Sequence, residues 1–345
     1  MIDYKEAKKI LSKSKIKIKS ETIFVNNSLN RISAKNIYSS VNYPAANNTA
    51  FDGFAINSTD TKGFNGKKIK KFKILKTLAA GDNPKIKNVK KKSTIQVMTG
   101  AIISKPFNTV IPIEKIIFYP NKSNPKFILI KNKVKKNNHI RFLGSDYKKG
   151  EKIISTGEVI NSSHILAFKS LGVEQILVKK KPVILFISTG NEISNKHKLP
   201  KWKVRNSNSH YIKSLSNSLF FEYLDGGILK DKDEDLLKKI INKNLSSKCD
   251  IIITNGALSA GKFDFVPKII KSFKLSNLFK GVAIRPGKPI MFAKFKGKNK
   301  AFFGLPGNPI SSAACFKFFI YPYLRLILNM KQERPFKAKL KNSYS

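Results

Sequence analysis

Three loops in the C-terminal half carry residue types suited to holding an anion. The first follows Ile251, Ile252 and Ile253, an apolar run without alternation, as expected of a strand buried on both faces of a parallel sheet. Its loop, Thr254 to Lys262, contains Gly256, Ala257, Ala260 and Gly261, small residues that let a ligand approach the backbone closely. The second is Leu305-Pro306-Gly307-Asn308-Pro309, the best helix start in the chain, with Asn308 at the N-cap and Pro309 at the first helical position. Such a start offers free N–H groups and the positive end of a dipole. Between these two, Arg285 and Lys288 sit in a turn bracketed by Pro and Gly and add fixed positive charge. The pattern implies an anionic ligand without naming it.

Acidic residues recur at the ends of other apolar runs. From Lys181 the sequence repeats strand, loop and helix, as in a doubly wound α/β domain. Val183 to Ile187 reads as its first buried strand, and Ser188-Thr189-Gly190-Asn191-Glu192 falls at the strand's carboxyl end, where such sheets bind ligands. Asn206-Ser207-Asn208 starts a helix with Ile212, Leu215 and Leu219 on one face, and a second strand near Phe221 ends in Gly226 to Asp231. Asp231, with Glu234 three residues on, reads as a helix N-cap, and Asp264 before Val266, Ile269 and Ile270 reads the same way. A cap and a metal ligand can coexist there, because both place a carboxylate at the open edge of the sheet. Upstream, Asp52 reads as a turn acid. Thr99-Gly100 offers a hydroxyl and a free backbone N–H for an oxyanion, or is simply a hairpin corner. Arg141 and Asp146 have the spacing of a surface ion pair.

In combination these segments resemble the MoeA/gephyrin-E family of molybdopterin molybdenumtransferases. That family closes its ligand domain with a GG-V-S-type loop ending in Asp, a K-P-G-K-P turn and an L-P-G-N-P-V-S loop. Here they stand as Gly256 to Ser259 with Asp264, Arg285-Pro286-Gly287-Lys288-Pro289, and Leu305 to Ser311. Further matches are Phe51-Asp52-Gly53-Phe54-Ala55, Val97 to Ala101, Ile140-Arg141 with Asp146, and Ser188 to Glu192. Departures are Asn47 for an Asp, Phe51 for Met, Ser145 for Glu and Arg285 for Lys; Arg285 keeps the charge and adds a planar fork suited to an oxyanion.

The resemblance implies insertion of molybdate into adenylylated molybdopterin with release of AMP. It implies Mg²⁺ at Asp231, Ser259 and Asp264, since hydrolysis of a phosphoanhydride suits a hard cation held by oxygen ligands. Asp52, Thr99, Asp146 and Glu192 would be the catalytic group. Arg141, Gly190, Asn208, Gly256, Arg285, Lys288, Asn308 and Ser311 would bind substrate. The implied partners are a second copy of the chain, with the Asp52 loop at a cleft across the dimer interface, and a molybdopterin adenylyltransferase. The chain ends where the family continues into a small β domain, of which residues 335–345 could supply only the first strand. A weakened or truncated binding or scaffold protein of the same fold is the alternative reading.

The expected architecture is multidomain α/β. Residues 1–40 and 142–176 would form a small discontinuous α+β domain, and 41–141 an inserted β-rich domain. Residues 177–328 would be the doubly wound molybdopterin-binding domain, and 329–345 the start of a C-terminal β domain. In the first of these, Asp3 and Glu6 cap a helix with Ala7, Ile10 and Leu11 buried, and Ser162 caps another that Gly172 ends. The net charge of +46 suggests a polyanion partner taken alone, but Lys is spread along the chain with abundant Asn, Ile and Phe, as in A/T-rich coding. A polyanion-binding protein would need its lysines gathered on one face. Cys249 and Cys315 lie in apolar segments and fit reduced, buried thiols of a cytoplasmic protein. No Cys/His metal spacing and no signal-peptide core occur, and the apolar stretch from Ile310 to Met330 is broken by Lys317, Pro322 and Arg325. No membrane and no nucleic acid are expected.

Overall fold

The computed structural model describes residues 1–258, 265–334, 336, 338 and 339. The chain divides into two compact units, Met1–Asn36 with Ile154–Leu166 and Glu174–Ser345, and Ile37–Ile153 with Ala167–Val173.

In the first unit, α1 (Tyr4–Lys13) starts on Asp3, whose carboxylate accepts the Glu6 N–H at 2.7 Å, and buries Ala7 and Leu11. For α2 (Ser162–Ser170) the expected cap moves by one residue. Asn161, not Ser162, accepts the His164 N–H, at 3.1 Å, because the residue before the first helical one holds the cap geometry.

The centre of this unit is a six-stranded sheet built from β1 (Val183–Thr189), β2 (Glu222–Leu229), β3 (Ile251–Asn255), β4 (Leu275–Lys280), β5 (Met291–Phe295) and β6 (Ala301–Leu305). Its spatial order is β2-β1-β3-β6-β5-β4. The first four of these are parallel, and β5 runs antiparallel to both of its neighbours, β6 and β4, so the sheet is mixed. Ile184, Phe186, Ile251 and Ile253 face one core, and Leu185, Ile187 and Ile252 the other. Both faces are therefore covered, by α3 (Ser207–Ser218) on one side and by α4 (Glu234–Asn244) with α5 (Val266–Lys271) on the other. Burial on two faces is why the strands read as unbroken apolar runs. β2 ends at Leu229, within the Gly226 to Asp231 stretch where its end is expected. Its register against β1 shifts between Phe186 and Ser188, a bulge of the kind glycine permits.

The stretch from Pro309 is one helical run: α6 (Pro309–Cys315), a π turn at Phe316–Ile320, and α7 (Tyr321–Ile327). Pro322 has no N–H to return to the preceding turn, and the Phe318 carbonyl instead accepts the Tyr4 hydroxyl at 3.3 Å. Among the described residues no helix is long and apolar enough to cross a membrane. Cys249 and Cys315 are buried free thiols, and burial pushes them up to about 11 and about 12.

The second unit is built on its own six-stranded sheet, in the order Thr109–Pro112, Gly53–Ile56, Ser93–Val97, Asn65–Leu78, Phe127–Asn132, Ile117–Tyr119. The Gly53–Ile56 strand is buried along its whole length and pairs antiparallel with both neighbours. Gly53 lies so close to the next strand that a Cβ would sit 2.1 Å from the Ile111 carbonyl oxygen. Gly53→Ala must push these neighbouring strands apart, and we expect it to lower stability by roughly 1–3 kcal/mol in urea unfolding, with the Asp52–Thr99 loop displaced.

Candidate active site

Four loops follow the carboxyl ends of the parallel strands, and each carries residues that the sequence marks as candidates: Gly190 to Glu192 after β1, Lys230-Asp231 after β2, Gly256 after β3, and Gly307-Asn308 after β6. The chain reverses strand order on either side of β1, so a crevice opens between the loops of β1 and β3. A cavity of about 560 Å³ lies there, lined among others by Glu192, Asn208, Asn255, Gly307 and Asn308. Glu192 and Asn308 are exposed, whereas Asn208 and Asn255 are buried.

Asn255, the last residue of β3, holds the crevice together. Its Nδ2 donates to the Pro306 carbonyl at 2.6 Å and to Ser312 Oγ at 3.2 Å. Its Oδ1 accepts Asn208 Nδ2 at 2.7 Å, and the same Asn208 nitrogen reaches the Gly307 carbonyl at 2.8 Å. Thr189 Oγ1 donates to the Asn255 carbonyl at 3.0 Å, and Ser188 Oγ to Asn206 Oδ1 at 2.7 Å. Gly256 turns away with φ +102°, where a Cβ would lie 2.4 Å from the Thr189 carbonyl oxygen. Only glycine fits there.

The loop after β1 is held by cations. Lys230 Nζ donates to the Ile193 carbonyl at 2.9 Å, and Lys203 Nζ to the Asn191 carbonyl at 2.5 Å. Asn191 Oδ1 accepts the Asp231 N–H at 3.3 Å, which joins the β1 and β2 loops. The Glu192 carboxylate lies against the Cα of Gly190. Asp231 is not the helix cap that its spacing with Glu234 implied. Asp233 occupies that position and accepts the Lys230 N–H at 2.7 Å, because the helix starts two residues later than that spacing requires. The half-buried Asp231 carboxylate has no hydrogen-bond donor or ion-pair partner among the described residues.

Arg285 and Lys288 reach this rim by a different route. Antiparallel β5 begins at Met291, opposite Gly304 near the end of β6, so the turn before β5 falls at the carboxyl edge of the parallel strands. Both side chains are exposed, and the Cys315 thiol donates to the Gly287 carbonyl at 3.5 Å, docking the turn on α6. At the start of α6, Asn308 Oδ1 accepts the Ser311 N–H at 3.1 Å, as its sequence predicts. Ser259 and Asp264 lie outside the described residues. Among the described residues no group of three metal-ligating side chains comes together.

Asp52, Thr99, Arg141 and Asp146 belong to the second unit. Asp52 Oδ1 accepts both the Thr99 N–H at 2.6 Å and the Thr99 hydroxyl at 2.7 Å. The expectation of a free Thr99 N–H is therefore overturned, since a carboxylate of the same chain already fills that turn. The Thr99 hydroxyl first, and its N–H second, hold the exposed Asp52 carboxyl below its usual range. Arg141 and Asp146 form the ion pair their spacing suggested, with Ser145 Oγ also donating to Asp146 at 3.1 Å. The Arg141 guanidinium lies 5.7 Å from the centre of the Tyr43 ring.

The reading from sequence missed Asn255, Asn206, Lys230 and Lys203. For Asn255 a signal was present, an amide ending a five-residue strand that is buried throughout, where an unpaired polar group would be costly. The lysines carried none in a chain with 67 Lys and Arg.

Asn255→Ala should lower stability by about 1–3 kcal/mol for the buried groups it leaves unpaired, measured by denaturant unfolding. Asn255→Asp should be no better, since it sets a carboxylate oxygen against the Pro306 carbonyl. The depressed Asp52 pKa contributes order to its loop above the usual carboxylate range, and this contribution disappears as pH falls through the lowered value. A carboxyl NMR titration should find Asp52 below an ordinary Asp, and Thr99→Val should return it some of the way.

Residues 2–172 match the sequence profile of the MoeA N-terminal region (domain I and II), and residues 185–326 that of a probable molybdopterin binding domain. A molybdopterin molybdenumtransferase of Staphylococcus epidermidis is 32% identical over 332 residues, 96% of this chain and 77% of that protein. Its counterpart in Staphylococcus aureus is 33% identical over 306 residues, 88% and 70% respectively. The crystal structure of a molybdopterin biosynthesis MoeA protein from Pyrococcus horikoshii superposes with a TM-score of 0.81 at 26% identity, covering 96% of this chain and 80% of that one. The chain belongs to the MoeA family, the molybdenumtransferases of molybdenum cofactor biosynthesis.

Proposed function

We propose that the chain inserts molybdate into adenylylated molybdopterin and releases AMP, at the carboxyl rim of its parallel strands. The observation that carries this reading is the delivery of acids, amides and cations to one edge: Glu192, Asp231, Asn208, Asn308 and the Arg285–Lys288 turn. A phosphorylated pterin nucleotide and an oxometal dianion need several anion holders side by side, with a carboxylate nearby to orient water.

In this scheme the pterin phosphates lie along the backbone of Gly190, Gly256 and Asn308, where glycine allows close approach. Asn208 fixes orientation through its amide, and Glu192 orients the attacking water. Arg285, Lys288 and Ser311 take molybdate, the guanidinium offering two parallel donors. Asp231, Ser259 and Asp264 would hold Mg²⁺. The open carboxylate of Asp231 is the kind of hard oxygen donor that ion takes, and when bound it would polarise the phosphoanhydride. Asp52, Thr99, Arg141 and Asp146 orient substrate, supplied by a second copy of the chain in a homodimer. The reading includes Asp146 acting through its pair with Arg141. It also carries hand-over from a molybdopterin adenylyltransferase in the cytoplasm. The finer division into 1–40 with 142–176, 41–141, 177–328 and 329–345 belongs to it as well.

The test is AMP release from adenylylated molybdopterin, with and without molybdate and Mg²⁺. Release should require both, and Asp231→Ala or Asp264→Ala should reduce it by roughly 100-fold in a folded protein. Release that is indifferent to molybdate, or unchanged in both variants, rejects the assignment.

A further inference from the structure

The second unit contains a cavity that the proposed reaction does not use. It measures about 550 Å³ and lies between the Asn65–Leu78 strand and the segment leading to Ser93. Seven of its eleven lining residues are lysines, between Lys73 and Lys92, and none is acidic. The whole chain has 67 Lys and Arg in 345 residues, so drift toward Lys does not account for this local density. Half-buried Leu75 and Ile86 form an apolar floor that packs on the core beneath.

The backbone forces the charges together. Lys73 pairs with Ser93 in a parallel ladder, and the Lys73 N–H donates to the Lys92 carbonyl at 2.9 Å. The Lys92 N–H is held in turn by Asp60 Oδ2 at 2.8 Å. Among the described residues no ion pair joins any of the seven lysines to a carboxylate. Lys73 and Lys76 project from the strand and Lys85 to Lys92 from the loop that leads to Ser93, so like charges crowd one cavity with Asp60 the carboxylate at its edge, a positive field that favours an external anion.

We propose that this cavity is a second anion site, and that it binds a compact polyphosphate. Its volume is that of a small-molecule site. Lysine is a point charge suited to phosphate rather than a fork matched to one carboxylate. A phosphate chain carries charge on every phosphorus, the density that seven cations around one cavity require, whereas a peptide spreads carboxylates over separate side chains. No aromatic residue lines the cavity, so it lacks the stacking platform on which single-stranded nucleic acid depends.

Titration calorimetry of the full chain with inorganic tripolyphosphate should show one saturable site. Its affinity should fall with salt, with a log–log slope of roughly −3. A triple variant, Lys73→Glu with Lys76→Glu and Lys90→Glu, should weaken binding at least about tenfold. An equal charge change at Lys5, Lys9 and Lys213, exposed on the other unit, should leave it within about twofold. Circular dichroism checks folding, and the matching Lys→Gln variant replaces the Glu variant if that one unfolds. Equal losses in both triple variants would mean net charge alone and overturn the site. So would absence of saturable binding, or tighter binding of a single-stranded oligonucleotide or of polyglutamate. AMP release is a separate readout and should be unchanged in the Lys73, Lys76 and Lys90 variant.

Discussion

One amide side chain sets the geometry of the crevice. Asn255 ends the central strand β3 and bonds at once to α3 through Asn208, to the loop after β6 through Pro306, and to α6 through Ser312. A buried primary amide left with open donors is costly, so the three elements must stay where Asn255 finds them. The backbone carbonyl of the same residue is bonded by Thr189 at the end of β1. The loops that carry Gly190, Gly256 and Asn308 are thus referred to a single point, and none can drift independently.

The second determinant is a change of strand direction. Four parallel strands place their carboxyl ends at one edge, but they supply mainly acids and amides there. Lys230 and Lys203 there are tied to loop carbonyls, and the exposed cations Arg285 and Lys288 come from the turn ahead of β5, which arrives at the same edge only because β5 runs antiparallel to β6. Had β5 joined the sheet in parallel, Arg285 and Lys288 would sit at the opposite edge. The mixed sheet is therefore a condition of the site as well as a feature of topology.

This explains what could be read from the residues and what could not. Buried strands announced themselves through Ile251 to Ile253 and Val183 to Ile187, since burial on two faces leaves no polar alternation. The start of α6 was legible because Asn308 and Pro309 act locally, through bonds three residues apart. Asp231 has the spacing to Glu234 of a cap, but the helix starts only at Glu234, which leaves Asp233 at the N-cap position. The filled Thr99 turn was illegible, since its partner Asp52 lies 47 residues away and nothing in either segment names the other. Family motifs located these acids without showing that Asp52 already occupies the donors of Thr99.

Charge follows the same division between local and distant information. At the sheet rim, cations are sparse and each has an assigned geometry: Lys230 and Lys203 are anchored to carbonyls, and the Arg285 turn is fixed through Gly287 to Cys315. Between Lys73 and Lys92 they are crowded and without acidic partners among the described residues. A composition of +46 predicts neither arrangement, because it counts charges without placing them. What separates the two is local backbone: at the rim, lysines are tied to loop carbonyls, whereas the pairing of Lys73 with Ser93 brings the Lys85 to Lys92 loop back alongside its own strand. Anion recognition in this chain is thus a property of backbone topology first and of lysine content second.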